Sequence, residues 1–134
     1  MSETTVEYEG FLRCSAKHRE SGVIVVTDAP KDNHGDGTSF SPSELLSVSL
    51  GSCILSIMGI MARSLDIDLT GATASIEKEM ANAPRRIVKI SVHVNVPRVF
   101  EDDHQRKLET AAHACPVHNI LNVDAPISFS WGPS

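Results

Sequence analysis

The sequence has few aromatic side chains, which make up 4% of its 134 residues, so any hydrophobic core must be mainly aliphatic. Basic residues are also scarce: 12 Lys and Arg against 17 Asp and Glu give a net charge of -5. Because binding to a phosphate backbone needs a basic surface, this balance argues against a nucleic-acid partner. The length is typical of one domain, and we expect a single α+β domain over residues 1–134.

Cysteines are few, and the polar start of the chain shows no basic segment followed by an apolar run, so we expect no signal peptide. The three cysteines are Cys14, Cys53 and Cys115. A disulfide scaffold usually has a larger and even number of cysteines, so we expect none here. We therefore predict a cytoplasmic location. In that reducing compartment a cysteine pair is more often catalytic or redox-active than structural.

Charged residues are absent from residues 45–62, a stretch just long enough to propose a membrane span. Against a span, the stretch is interrupted by several Ser and Gly residues, and strand-like segments flank it. We therefore predict a buried central helix and no membrane contact.

The start of this helix is marked by Ser41, Pro42 and Glu44, which together form a capping box with a proline in the first turn. The helix should run from Pro42 to about Ser64. It is apolar on almost every side and must be enclosed all round, although a sheet from this short chain covers only one side. The pattern therefore predicts a homodimer built around paired central helices.

Alternating or β-branched segments predict strands on both sides of the helix. The first three should be antiparallel, with the first turn at Glu9-Gly10, and a polar loop over residues 28–40 should lead to the helix. The predicted strands are residues 5–8, 11–16, 22–27, 72–80, 87–96 and 127–131, and two further helices are expected at 101–114 and from 116 to about 122.

Two cysteines have sequence contexts that allow chemistry. Cys53 lies inside the apolar helix, where a free cysteine is equally a good small core residue. Cys115 directly precedes Pro116 at a predicted helix start, where unpaired N–H groups and the helix dipole favour the thiolate. His113 and His118 are close by in sequence. A buried cysteine at a helix junction is the alternative interpretation of Cys115.

A zinc site is a further alternative, since His113, Cys115 and His118 are closely spaced. A structural zinc ion usually takes four ligands, so Cys53, His34 or His93 would have to complete the set. The chain has no CxxC pair, no phosphate-binding Gly-rich loop and no Ser-His-Asp motif. We therefore assign no metal and no cofactor.

Two motifs together resemble the OsmC/Ohr family of osmotically inducible and organic hydroperoxide resistance proteins, on its OsmC-like side. They are Ser41-Pro42 through Glu44-Leu45-Leu46 to Gly51-Ser52-Cys53, and Ala114-Cys115-Pro116-Val117. The resemblance covers nearly the whole chain, including the order of its elements. It implies the OsmC-like fold, in which antiparallel sheets wrap around a long central helix in an intertwined homodimer. It also implies active sites at the subunit interface.

The resemblance further implies a thiol-dependent peroxidase of the oxidative stress response. Cys53 would be the peroxidatic cysteine and Cys115 the resolving one, joined by a disulfide during turnover. The implied substrates are organic hydroperoxides, and the implied reductant is an external dithiol, often a dihydrolipoyl group. Cys14 has no family counterpart, and we interpret it as a packing residue.

Active family members also hold the thiolate with an Arg and a Glu, and both are less clear in this sequence. Arg13 is the better match for the arginine, and Arg19 is its rival. Ser43 stands where the Glu of Ohr-type proteins follows the proline, so Glu44 is the candidate acid. Nine helical residues separate Glu44 from Cys53, about 900° of rotation, which puts them on opposite sides. Glu44 is therefore either catalytic or only a helix cap.

A competing function is a dimeric OsmC-like protein that binds a small apolar ligand and has little or no peroxidase activity. Hydroperoxide should convert two thiols of a peroxidase into one disulfide, whereas a binding protein should show negligible turnover. The two functions are therefore separable by experiment.

Overall fold

In the computed structural model, which describes residues 3–133, the chain divides into two compact units. The first unit ends at Leu46, and the second begins at Ser47. Each unit contains one three-stranded sheet. The α+β class predicted from the sequence is confirmed.

The sheet of the first unit consists of β1 (Val6–Gly10), β2 (Arg13–Lys17) and β3 (Ile24–Asp28), antiparallel and in that order. The hairpin turn was predicted at Glu9-Gly10, and that position is wrong. Phe11 and Leu12 form the turn instead, with φ of 55° and 63°. Two successive residues in the left-handed region give a turn whose twist matches that of the paired strands. The pairing of β1 with β2 therefore overrides the strand preference of Phe11 and Leu12.

A loop connects β3 to the long helix, and its only regular part is a 3-10 turn at Lys31–Asn33. Gly35 lies against the backbone of Ala29, so that a Cβ atom at this position would come within 1.7 Å of the Ala29 carbonyl oxygen. Only glycine fits this close backbone approach, which fixes the path of the loop.

Helix α1 (Pro42–Ser64) has the bounds that its sequence predicts. The capping box at its start is also confirmed: the Glu44 backbone N–H donates to the Ser41 Oγ at 3.2 Å, and the Ser41 N–H donates to the Glu44 carboxylate at 3.1 Å. The helix begins in the first unit, and its residues from Ser47 onward belong to the second.

The second unit also contains β4 (Thr73–Ala81), β5 (Arg86–Val96), α2 (Asp102–Ala112), α3 (Pro116–Asn119) and β6 (Ile127–Trp131). β4 and β5 are antiparallel, as expected. β6 instead runs parallel to β5, which differs from the antiparallel sheets expected from the sequence. The connection through α2 and α3 supplies the long crossover that a parallel pair needs.

The core of the second unit lies between α1 and its sheet. Leu50, Ile54 and Met58 of α1 are completely buried, and β5 contributes Val92 and Val94. Gly51 lets the helix approach the sheet closely, because a Cβ atom there would lie 2.7 Å from the Ile76 Cδ1. By length and composition α1 could also cross a membrane, a test that core helices of soluble proteins pass as well.

Candidate functional site

The second unit brings together two of the cysteines singled out in the sequence. Cys53, on α1, lies close enough to Cys115 for its side chain to raise the pKa of the Cys115 thiol. Cys53 is partly exposed, whereas Cys115 is completely buried, and both are free thiols. The more exposed cysteine, Cys53, therefore has the buried Cys115 as its neighbour.

The local backbone fixes the position of Cys115. The residue is the N-cap of α3, with Pro116 opening the helix in its first turn. The His118 N–H donates to the Cys115 Sγ at 3.3 Å. The sulfur thus takes the place that a Ser or Asp oxygen usually occupies at a helix start.

The thiolate preference predicted for Cys115 is wrong in its net direction. Burial raises the pKa of Cys115 above its ordinary value of 9.0, and the hydrogen bond and charge of Cys53 raise it further. The backbone N–H groups of His118 and Val117 lower this pKa, as the helix-start argument predicts, but they do not outweigh burial. Cys115 therefore holds its proton more tightly than an ordinary thiol does.

Two histidines close to Cys115 in the sequence each have a ring nitrogen hydrogen-bonded to a backbone carbonyl oxygen. His118 Nε2 lies 2.8 Å from the Ala125 oxygen, and His113 Nδ1 lies 2.9 Å from the Glu109 oxygen. A carbonyl only accepts, so each of these nitrogens carries its proton. Within residues 3–133 no group of three or more His, Cys, Asp or Glu side chains could hold a metal ion, so the geometry does not support the zinc alternative.

Arg13, in the first unit, is held by two carboxylates. Its Nε lies 3.7 Å from the Asp28 Oδ2, and its Nη2 donates to the Asp36 Oδ2 at 3.4 Å. β2 and β3 pair Arg13 directly with Asp28, which orients the guanidinium. The Arg13 Nε is buried and has no hydrogen-bond partner among the residues described.

Asp28 is completely buried and remains ionised. The Thr38 hydroxyl and N–H both donate to its Oδ2, at 2.6 and 3.0 Å, and they lower the pKa of Asp28, with a further contribution from Arg13. Sequence reasoning missed both Asp28 and Thr38. The only available signal was an acidic residue directly after the β-branched strand.

The remaining candidates lie in local, structural arrangements. Arg19 is exposed in the turn after β2 and pairs with Glu3 at 3.4 Å. Glu44 is exposed and accepts the capping hydrogen bond of Ser41. Of the two arginines, only Arg13 is held on a strand by a buried carboxylate.

The family described as OsmC-like protein matches residues 35–130. A solved structure from Psychrobacter arcticus 273-4, provisionally named as an osmotic stress induced and detoxification response protein, is 38% identical with a TM-score of 0.90. The match covers 97% of this chain and 96% of that one. A comparison with curated proteins gave no match.

Two more distant structures share the fold. The organic hydroperoxide resistance protein OsmC of Legionella pneumophila is 18% identical, with a TM-score of 0.75 over 97% of this chain and 98% of that one. An OsmC like protein of Mycoplasma pneumoniae is 15% identical, with a TM-score of 0.81 over 97% and 96%. The predicted OsmC-like fold is confirmed.

Proposed function

The chain belongs to the OsmC-like protein family, and on this premise we propose that it is a thiol-dependent peroxidase for organic hydroperoxides. The observation that carries the proposal is that Cys53 and Cys115, one partly exposed and the other buried, interact closely enough for Cys53 to raise the pKa of Cys115. The name of the Legionella relative, an organic hydroperoxide resistance protein, points to the same substrate class.

Cys53 carries out the first step because it is the more exposed of the two thiols. Its thiolate sulfur attacks one oxygen of the hydroperoxide, and the O–O bond breaks. The leaving alkoxide takes up a proton and departs as the alcohol, while Cys53 becomes a sulfenic acid. The peroxide is reduced and the sulfur oxidised by two electrons.

Cys115 carries out the second step. Its sulfur loses the thiol proton and attacks the Cys53 sulfur, the S–O bond breaks, and water leaves with that proton. A disulfide forms between two residues whose side chains interact in the reduced protein. An external dithiol, such as a dihydrolipoyl group, then reduces the disulfide and is itself oxidised to a disulfide.

We assign the two remaining candidates different roles. We assign Arg13 the role that the family resemblance implies for an arginine, stabilising the Cys53 thiolate. Within its own unit Asp28 and Asp36 orient the Arg13 guanidinium, and the buried Nε has no hydrogen-bond partner in the described part of the chain. Glu44 acts as the cap of α1, one of the two roles that the sequence left open.

The functional unit is a homodimer in the cytoplasm. Several large apolar side chains are exposed on the first sheet and on α1, among them Tyr8, Ile24, Val25 and Ile60. Burying such surfaces against a second copy stabilises the assembly by about 25 cal/mol per Å² of apolar area. In this assembly α1 is the core helix of a soluble protein, and no membrane is involved.

The proposal is tested by following the consumption of cumene hydroperoxide with dihydrolipoamide as the reductant. The wild type should turn over, Cys53→Ser should consume no peroxide above background, and Cys14→Ser should match the wild type. A wild type with negligible turnover would contradict the proposal and favour the ligand-binding alternative.

A further inference from the structure

The outward face of the second sheet carries a row of polar side chains outside the thiol site. Residues of β5 alternate between the buried Val92 and Val94 and the outward His93 and Asn95. In the parallel pairing of β5 with β6, His93 lies beside Ser128 and Asn95 beside Ser130. The sequence motifs gave no indication of this cluster, because the two strands are far apart along the chain.

These four side chains form one continuous chain of hydrogen bonds. Ser130 Oγ donates to the Asn95 Oδ1 at 2.7 Å. His93 Nε2 lies 3.0 Å from the Ser130 Oγ, and His93 Nδ1 lies 2.7 Å from the Ser128 Oγ.

The direction of each bond follows from the Asn95 end. Ser130 donates its only hydroxyl proton to Asn95, so it accepts a hydrogen bond from His93. The proton of the His93 ring is therefore on Nε2. The other ring nitrogen, Nδ1, then has a lone pair that accepts the Ser128 hydroxyl proton at 2.7 Å, a shorter contact than the 3.4 Å from the same hydroxyl to the Val92 carbonyl oxygen. The tautomer is assigned from this network.

This arrangement has the parts of an activated nucleophile. A serine hydroxyl alone is weakly nucleophilic, and it becomes reactive when a base lies within about 2.6–3.2 Å and a third group orients that base. Ser128, His93 and Ser130 meet these conditions in that order. Both Ser128 and His93 are exposed, so small molecules can reach them.

We propose that Ser128 is a nucleophile activated by His93 that takes an acyl group from small activated esters. The Ser128 Oγ attacks the carbonyl carbon, and its proton passes to the His93 Nδ1. The bond to the leaving group breaks, and the leaving oxygen takes the proton from His93, so that an acyl-serine and an alcohol or phenol remain. No oxidant or reductant is needed, and the step does not depend on Cys53.

Ser75 supplies an internal reference for the test. It is an exposed serine on β4 and the cross-strand neighbour of His93 on the same face. Both ring nitrogens of His93 are already occupied by Ser128 and Ser130, so Ser75 neighbours the same histidine without having it as a base.

The experiment treats the full chain with p-nitrophenyl acetate and follows acetylation of each serine by peptide mass spectrometry. General-base assistance typically contributes about 10²- to 10⁴-fold. We expect Ser128 to be acetylated at least about tenfold faster than Ser75. His93→Gln should lower the Ser128 rate to that of Ser75, with the Ser75 rate unchanged.

A second variant, Ser130→Ala, removes the group that orients His93 and should also slow acetylation of Ser128 without affecting Ser75. If His93→Gln does not fold, Ser130→Ala still tests whether His93 activates Ser128. Equal acetylation of Ser128 and Ser75 in the wild type would overturn the proposal. So would a Ser128 rate that is unchanged in a folded His93→Gln protein.

Discussion

The side chain of Cys53, on α1, raises the pKa of Cys115 at the N-terminus of α3. Cys53 is partly exposed, and Cys115 is buried with its thiol proton held more tightly than usual. In a disulfide the sulfurs are about 2.05 Å apart. Oxidation of this interacting pair would have to bring the two sulfurs to that distance.

The raised pKa of Cys115 predicts a loss of stability at alkaline pH. The unfolded chain releases the Cys115 proton near the ordinary pKa of 9.0, whereas the folded protein still holds it. The contribution is therefore complete below pH 9 and is lost as the pH rises through the folded pKa. In urea unfolding under reducing conditions, the free energy of unfolding should fall less steeply above pH 8 in Cys115→Ala than in the wild type.

Cys14→Ala is the control for this prediction, measured at the same protein concentration because assembly contributes to stability. Its pH dependence should follow that of the wild type. If Cys115→Ala loses stability with pH as steeply as the wild type, the raised pKa is contradicted.

The sequence predicted local features well because their causes are local. The start of α1 follows from the hydrogen-bonding and backbone properties of Ser41, Pro42 and Glu44. Cys115 shows where local reasoning fails: the helix-start groups act as predicted, but burial, which depends on the whole fold, decides the direction of its pKa. The pairing of Cys53 with Cys115 was implied by family resemblance and not by spacing.

The polar networks could not be predicted, since each joins residues that only the sheet register brings together. Arg13 meets Asp28 because β2 and β3 pair at that position. His93 meets Ser128 because β6 runs parallel to β5, an orientation that the alternating pattern of either strand alone does not reveal.

Arg13→Lys should slow the reaction of Cys53 with hydroperoxide. A charge-assisted hydrogen bond contributes about 1.5–3 kcal/mol, so its loss corresponds to at least about a tenfold lower rate constant. Lysine keeps the positive charge but not the planar, forked donor arrangement. The measurement is the pre-steady-state rate of thiol loss with cumene hydroperoxide.

Arg19→Lys is the matched control, because Arg19 is exposed and pairs only with Glu3 among the ion pairs of the described residues. Its rate should equal that of the wild type. Equal rates for Arg13→Lys and Arg19→Lys would remove Arg13 from the proposed site, and a slow Arg19→Lys would point to the rival arginine.

Gly35→Ala should destabilise the loop that carries Asp36. The added Cβ would lie 1.7 Å from the Ala29 carbonyl oxygen, a backbone atom that cannot move aside cheaply. We expect a loss of about 2 kcal/mol or more in the free energy of unfolding, measured in urea. Gly35→Ala should also slow the reaction of Cys53 with hydroperoxide, as expected for Arg13→Lys, because the loop residue Asp36 forms an ion pair with Arg13.

Gly59→Ala is the contrasting glycine variant. It lies inside α1, where a Cβ atom would meet nothing within 4 Å in the described chain. Replacing a helical glycine with alanine stabilises by up to about 1 kcal/mol. A Gly35→Ala protein as stable as the wild type would contradict the loop geometry.

Ile60→Glu should weaken the proposed homodimer. Ile60, on α1, is 67% exposed in the single chain, and burying an isoleucine contributes about 1.5–3 kcal/mol. Sedimentation equilibrium should show a dimeric wild type and at least about a tenfold higher dissociation constant for Ile60→Glu. Ile120→Glu, at an 80% exposed site after α3, should remain as dimeric as the wild type. A monomeric wild type would contradict the dimer.

The most direct test of the proposed peroxidase is to map the disulfide formed after one equivalent of cumene hydroperoxide is added to the fully reduced protein. A single Cys53–Cys115 disulfide should form within one chain, with Cys14 still free. In Cys115→Ser the product should be a sulfenic acid on Cys53 that dimedone traps. Oxidation that leaves Cys115 a free thiol in the wild type, or that joins Cys14 to either partner, would rule out the proposed two-cysteine mechanism.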